Sequence, residues 1–154
     1  MDCYELNIKQ FIPEPIEEVF SFFSKPENLK KITPKQLHFT IHTPSPIPMK
    51  LGQIIDYTIK IKGIPVRWRS LISSYDPPHS FIDEQVKGPY SLWHHTHRFK
   101  EENGGTVIFD YVKYKIPFGL VGRIANFIWI SKDLKRIFNY RKKIIAEIFK
   151  CQLN

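Results

Sequence analysis

The segment Trp93-His94-His95-Thr96-His97-Arg98-Phe99 sets two imidazoles two positions apart in a stretch that reads as a strand. Alternate residues of a strand share a face, so Trp93, His95, His97 and Phe99 point one way and Leu92, His94, Thr96 and Arg98 the other. A regular hairpin through Lys87-Gly88-Pro89 places Asp83 and Gln85 of the preceding run opposite that row. Asp110, Val112 and Tyr114 form a comparable row on the next run. A face carrying Trp, His, Asp, Gln and Tyr is too polar for plain core and too aromatic for plain solvent exposure.

Three chemistries use such a set. Two imidazoles on one strand face, with Asp83 or Asp110 as a third donor, resemble some zinc sites. Two histidines without an assured third ligand are weak support for an ion, and the expectation here is no metal and no cofactor. An Asp beside a His holds one tautomer and tunes its pKa, as acid–base catalysis requires, and the pairs to test are Asp83 with His95 and Asp110 with His97. The commonest outcome for such a set is a satisfied polar network that fixes sheet register. The chain carries no nucleophile elbow, phosphate-binding loop or dinucleotide fingerprint, and Gly104-Gly105 reads only as a turn. Enzymatic activity is therefore the secondary expectation. Trp68 shares a face with Val66 and Ser70; pointing inward it forms a cavity wall whose indole N–H can anchor a polar group. Arg67 and Arg69 share the opposite face, where solvation is the expectation.

These residues need elements to hold them. Residues 4–12 alternate in a strand-like way until Pro13 and Pro15, and Ile16, Val19, Phe20 and Phe23 then recur at helical spacing. A second short helix fits residues 27–32 before Pro34. Strands are expected over 37–42, 54–62, 65–75, 80–86, 90–100 and 106–115, punctuated by Gly63, Asp76-Pro77-Pro78, Gly88-Pro89 and Asn103-Gly104. After Pro117 one long helical pattern fills the chain, with Leu120, Ile124, Phe127, Ile128, Leu134, Phe138, Ile145 and Ile148 mostly at three- and four-residue steps or their multiples. The order defines an α+β chain with an antiparallel sheet. Consecutive hairpins twist strongly, and a single helix laid over the concave side leaves aromatic side chains lining space.

At 154 residues one domain is expected, spanning 1–154. The 42% hydrophobic and 14% aromatic content excludes a disordered chain, and two cysteines exclude a disulfide scaffold. No run approaches the roughly 20 apolar residues of a membrane-spanning helix. The acidic residues of MDCYELNIKQ do not suit a signal peptide, so a cytoplasmic protein with Cys3 and Cys151 reduced is the expectation. The net charge of +8 invites a nucleic-acid reading, but most of it sits in residues 119–150, from Arg123 to Lys150, with no recognised motif. That concentration reads as the solvated face of a terminal helix, and no nucleic-acid partner is expected.

The pattern Asp83-x-Gln85-x-x-Gly88-Pro89-Tyr90-x-x-Trp93-x-His95-x-His97-x-Phe99, followed by Gly105-Thr106-x-x-x-Asp110-x-Val112-x-Tyr114, resembles a ligand-binding branch of the START-like (SRPBCC) superfamily. That superfamily includes the birch-pollen allergen and the polyketide cyclases. Pro15-x-x-x-Val19-Phe20-x-Phe22-Phe23, Asn28-Leu29 and Thr33-Pro34 are similar to the opening of the same branch. The resemblance implies a helix-grip fold, a curved sheet wrapped around the C-terminal helix over an apolar cavity. The expected function is binding of a hydrophobic or amphipathic small molecule there. Trp68, Asp83, Gln85, Trp93, His95, His97, Phe99, Asp110, Tyr114 and Phe127 are its candidate contacts, with Phe118 and Trp129 near the mouth or helix side. The alternatives are a cyclase- or dehydratase-type enzyme on the same cavity and a surface-binding module using the basic terminal helix.

Overall fold

A computed structural model describes residues 2–150 of the chain. Strand β1 (Tyr4–Ile12) ends at the proline pair, and helix α1 (Ile16–Phe23) begins directly after Pro15 and buries Ile16, Val19 and Phe20. Two 3₁₀ turns come next, Pro26–Lys30 and Lys35–Leu37. The strand expected over 37–42 shrinks to β2 (Thr40–Ile41). Pro34 opens the second turn, His38 closes it in the left-handed region at φ 45°, and only Thr40 and Ile41 are left to pair.

The remaining strands form a meander of β3 (Ile54–Ile61), β4 (Ile64–Asp76), β5 (Ser80–Lys87), β6 (Leu92–Glu102) and β7 (Gly105–Lys115). Lys62-Gly63 and Asn103-Gly104 each supply two consecutive positive φ values, which two-residue hairpin loops of matching twist require. The sheet has seven antiparallel strands in the order β1-β7-β6-β5-β4-β3-β2, so the first strand returns to pair with the last.

The terminal helix is not continuous. Helix α2 (Gly119–Ala125) runs into a π turn (Asn126–Ile130) and then helix α3 (Ser131–Ile148). The wider turn adds one residue and rotates α2 by roughly 100° relative to α3. Leu134, Phe138 and Ile145 of α3 therefore face the sheet, while Leu120, Ile124, Phe127 and Ile128 face outward. Gln10 Nε2 donates to the Lys142 carbonyl at 2.8 Å and ties α3 to β1.

Two apolar clusters form between sheet and helices. One gathers Ile12, Ile16, Val19, Phe20, Phe81, Phe99, Ile108 and Ile145; the other Trp68, Trp93, Val112, Tyr114, Leu134 and Phe138. Among the described residues no helix is long and apolar enough to cross a membrane. Cys3 is exposed, and Cys151 lies outside the described residues.

Candidate functional site

Strand parity and register bring the two imidazoles and two carboxylates together. Asp83 sits opposite His95 across β5 and β6, and His97 opposite Asp110 across β6 and β7. The strongest hydrogen bonds nevertheless run on the diagonals. His97 Nε2 donates to Asp83 Oδ2 at 2.8 Å, and His95 Nε2 donates to Asp110 Oδ1 at 3.0 Å. The direct partners lie at 3.5 Å for His95 Nδ1 and Asp83, and at 2.9 Å for His97 Nδ1 and Asp110. The second contact is close but lacks hydrogen-bond alignment, since His97 Nδ1 has no aligned acceptor.

The imidazole centroids lie 3.7 Å apart, with the ring planes tilted by 35°. Phe81 covers His97 at 4.1 Å, and the Phe138 ring meets His95 at 5.5 Å, so the pair spans the seam between the two apolar clusters. Both histidines and Asp110 are buried, and Asp83 keeps a 22% exposed side chain.

The environment pushes the two imidazoles in opposite directions. Burial lowers the pKa of His95, helped by repulsion from His97. Burial also opposes charge on His97, but its contacts with Asp110 and Asp83 outweigh that and raise its pKa. Burial alone would raise Asp110; the bond from His95 and the close approach of His97 hold it far below the ordinary carboxylate range instead. Asp83 is lowered in the same way: burial opposes, and the neighbouring His95, His97 and Arg141 prevail. The surroundings thus favour the charged form of both carboxylates and of His97, and the neutral form of His95.

Ligating atoms of Asp83, His95 and His97 all lie within 4.8 Å of one another, a two-histidine, one-carboxylate set. The same nitrogens already donate to Asp83 and Asp110, so a cation would have to displace protons that hold the network together.

Beside this network lies a cavity of about 420 Å³ between sheet and helices, walled by Trp68, Ile72, Phe81, Trp93, Leu134 and Phe138 among others. His95, His97 and Asp83 reach its surface. Two further polar groups do so without partners. Trp68 Nε1 and Arg141 Nε are both buried with no acceptor among the described residues. The Arg141 guanidinium lies 4.8 Å over the Phe138 ring, and no carboxylate comes within 4 Å of it among the described residues.

Of the ten candidates, Trp68, Asp83, Trp93, His95 and His97 line this space. The other five are placed elsewhere. Gln85 clamps the β5–β6 turn, its amide donating to the Tyr90 carbonyl at 2.7 Å and accepting from the Tyr90 N–H at 3.2 Å. Gly88 is bare because a Cβ there would meet the Gln85 amide oxygen at 2.4 Å. Phe99 packs on Phe20 and Phe23 in the first cluster. Asp110 lies behind the histidines, and Tyr114 donates its hydroxyl to Asn126 Oδ1 at 3.1 Å. Phe127 is 82% exposed, because the π turn swings it away from the sheet. Near the mouth, Phe118 and Trp129 both border the cavity. Arg69 points outward into an ion pair with Asp56 at 2.7 Å.

Arg141 is not among the ten candidates, yet its position in the sequence signals it. It falls three residues after Phe138 and four before Ile145, on the stripe that faces the sheet.

A curved antiparallel sheet gripping a long C-terminal helical segment, with a helix and two short turns after the first strand, is a helix-grip fold. Solved structures of that shape align along nearly the whole chain. The chain is similar to TTHA0849 from Thermus thermophilus at 15% identity, with 94% of this chain and 99% of that one covered and a TM-score of 0.71. It is similar to the ginseng major latex-like protein 151 of Panax ginseng at 12% identity, 96% and 97% coverage and a TM-score of 0.69. It is similar to Ara h 8.0201 at 14% identity, 96% and 98% coverage and a TM-score of 0.64. At these identities the likeness is one of fold. No protein-family model and no curated protein sequence matches the chain.

Proposed function

We propose that this protein binds a hydrophobic or amphipathic small molecule in the space between its sheet and α3. The observation that carries the reading is the roughly 420 Å³ cavity with unpartnered donors at its wall. That volume falls in the range of about 300–1,000 Å³ typical of small-molecule sites. Apolar burial supplies affinity, at roughly 25 cal/mol per Å² before the costs of association. Trp68 Nε1 and Arg141 select orientation, since each is a buried donor that gains by meeting an acceptor oxygen. The ligand class they favour has an apolar body and a carboxylate or carbonyl end.

Native mass spectrometry of freshly purified protein, followed by extraction, tests the reading. Bound mass released into organic solvent is the expected result. An apo mass under all conditions, with no uptake of apolar fluorescent probes, rejects it. Arg141→Met is expected to weaken a fluorescent fatty acid by roughly tenfold or more, through loss of a charge-assisted bond, while a neutral probe of the same tail keeps its affinity. Equal losses for both probes would remove Arg141 from the recognition of the polar end.

The opposed shifts of His95 and His97 favour a second reading, in which the same cavity runs acid–base chemistry on a cyclic or polyketide-like ligand. His97 would donate a proton and the less basic His95 would accept one. Replacing either histidine by Ala separates the two: an enzyme loses turnover of the extracted compound with binding largely kept, whereas a carrier only changes affinity.

A further inference from the structure

The segment after β7 is amphipathic in the reverse sense. Leu120, Val121, Ile124, Phe127 and Ile128 fall on one helical stripe, and they are 69%, 71%, 52%, 82% and 62% exposed. Phe118, just before them, is 80% exposed. The opposite face, turned to the protein, carries Gly122 and Asn126. Gly122 sits so close to its neighbour that a Cβ would lie 2.2 Å from the Pro117 carbonyl oxygen. Asn126 is held by the Tyr114 hydroxyl. The helix is thus committed to its small, polar face and cannot roll over to bury the stripe.

Contiguous exposed apolar surface of this kind marks a docking site on a soluble chain. Charge indicates what docks. Between residues 115 and 136 stand Lys115, Arg123, Lys132, Lys135 and Arg136; their counter-charges are Asp133, bonded by Trp129 and Arg136, and Asp2, which pairs with Arg123 at 2.6 Å, so the rim keeps a net positive charge. Lys62 reaches in from the β3–β4 loop and lies 4.9 Å over the Trp129 ring. A bulky apolar stripe with a tryptophan at its edge and a cationic rim is the pattern of a helix lying in the headgroup layer of an anionic bilayer. A second copy of this chain would bring like-charged rims together, so charge favours lipid over self-association.

We propose that Phe118 and the α2–π segment dock this protein on an anionic lipid surface, with the apolar stripe inserted and the basic rim among the headgroups. Phe118, Val121 and Trp129 also border the cavity, so docking sets the cavity mouth against the lipid. The surface stands independently of what the cavity holds.

Vesicle flotation tests it, using phosphatidylcholine alone and phosphatidylcholine mixed with phosphatidylglycerol. The full chain is expected to float with the mixed vesicles at low salt, less with the neutral ones, and to be released as salt rises. Leu120→Glu and Phe127→Glu change exposed positions that leave the fold intact, and each is expected to lower partitioning by about tenfold or more. Leu51→Glu, an exposed apolar position at the far end of β3 from Lys62, is expected to leave it unchanged. Absence of flotation at low salt overturns the proposal, as does flotation indifferent to both substitutions. Sedimentation that reveals a dimer dissolved by Phe127→Glu, without vesicle binding, would reassign the stripe to self-association.

Discussion

Asp110→Asn is expected to destabilise the protein by about 3–5 kcal/mol at mildly acidic pH, because it removes the buried carboxylate that favours the charged form of His97. The melting temperature falls correspondingly by roughly 10 °C. Asp110 is buried at 7% exposure and accepts from His95, with His97 at 2.9 Å. Its folded pKa is depressed, so its stabilisation is present above the unfolded carboxylate value near 3.9 and is lost as pH falls toward the folded one. His97 acts in the opposite sense. Its pKa is raised, so its contribution is full below about 6.5 and is lost as pH rises through the folded value. His95 is held neutral, and its contribution is full above about 6.5 and falls away as the unfolded chain takes up the proton. The gap between the wild type and Asp110→Asn is therefore widest in the mildly acidic range between about 4 and 6.5, and closes on strong acidification. Thermal melts from pH 3 to 8 measure it, and a gap that stays constant would mean that Asp110 acts by packing alone.

Ser70→Phe is expected to reduce binding of apolar probes by about 100-fold while leaving a folded protein. Ser70 lies on β4 between Trp68 and Ile72 on the inward face, all three buried, and it lines the cavity. A small side chain flanked by two large ones leaves volume, and a phenyl ring placed there takes the room a ligand needs. Filling empty space gains contacts, so the fold loses little beyond the contact of Ser70 with the Tyr57 hydroxyl. A titration with a fluorescent probe, read beside a melting curve, tests this. Wild-type affinity in a folded Ser70→Phe protein would place the probe elsewhere on the molecule.

The imidazole–carboxylate network is legible in the chain because strands obey a period of two and hairpins fix what stands opposite. Asp83, His95, His97 and Asp110 emerge from those two rules alone. Where a side chain does backbone work the rules mislead. Gln85 has the parity of a cavity residue, yet its amide presents a donor and an acceptor spaced like a peptide group and closes the turn at Tyr90. Phe127 is misplaced by helical periodicity because that periodicity assumes an unbroken helix. A π turn leaves the local spacing almost untouched while rotating one half against the other. Arg141 is hidden by its charge, which suggests a solvated face, although its phase on α3 is that of Phe138 and Ile145. The strand expected at 37–42 fails at His38, whose left-handed backbone no alternation pattern announces.

The pairing of β1 with β7 also bears on synthesis. All other neighbours in the sheet are consecutive in the chain, whereas Glu5 and Tyr111, bonded across that one ladder, are 106 residues apart. Local hairpins form early, and contacts of such separation form late, after the chain has met the entropy of closing the loop. Strand β1, which leaves the ribosome ahead of the rest of this sheet, is thus the last to find its place, and it waits unpaired until β7 has emerged. Its outward residues Glu5, Asn7 and Lys9 are polar, which keeps the waiting strand soluble and discourages pairing with a neighbouring nascent chain.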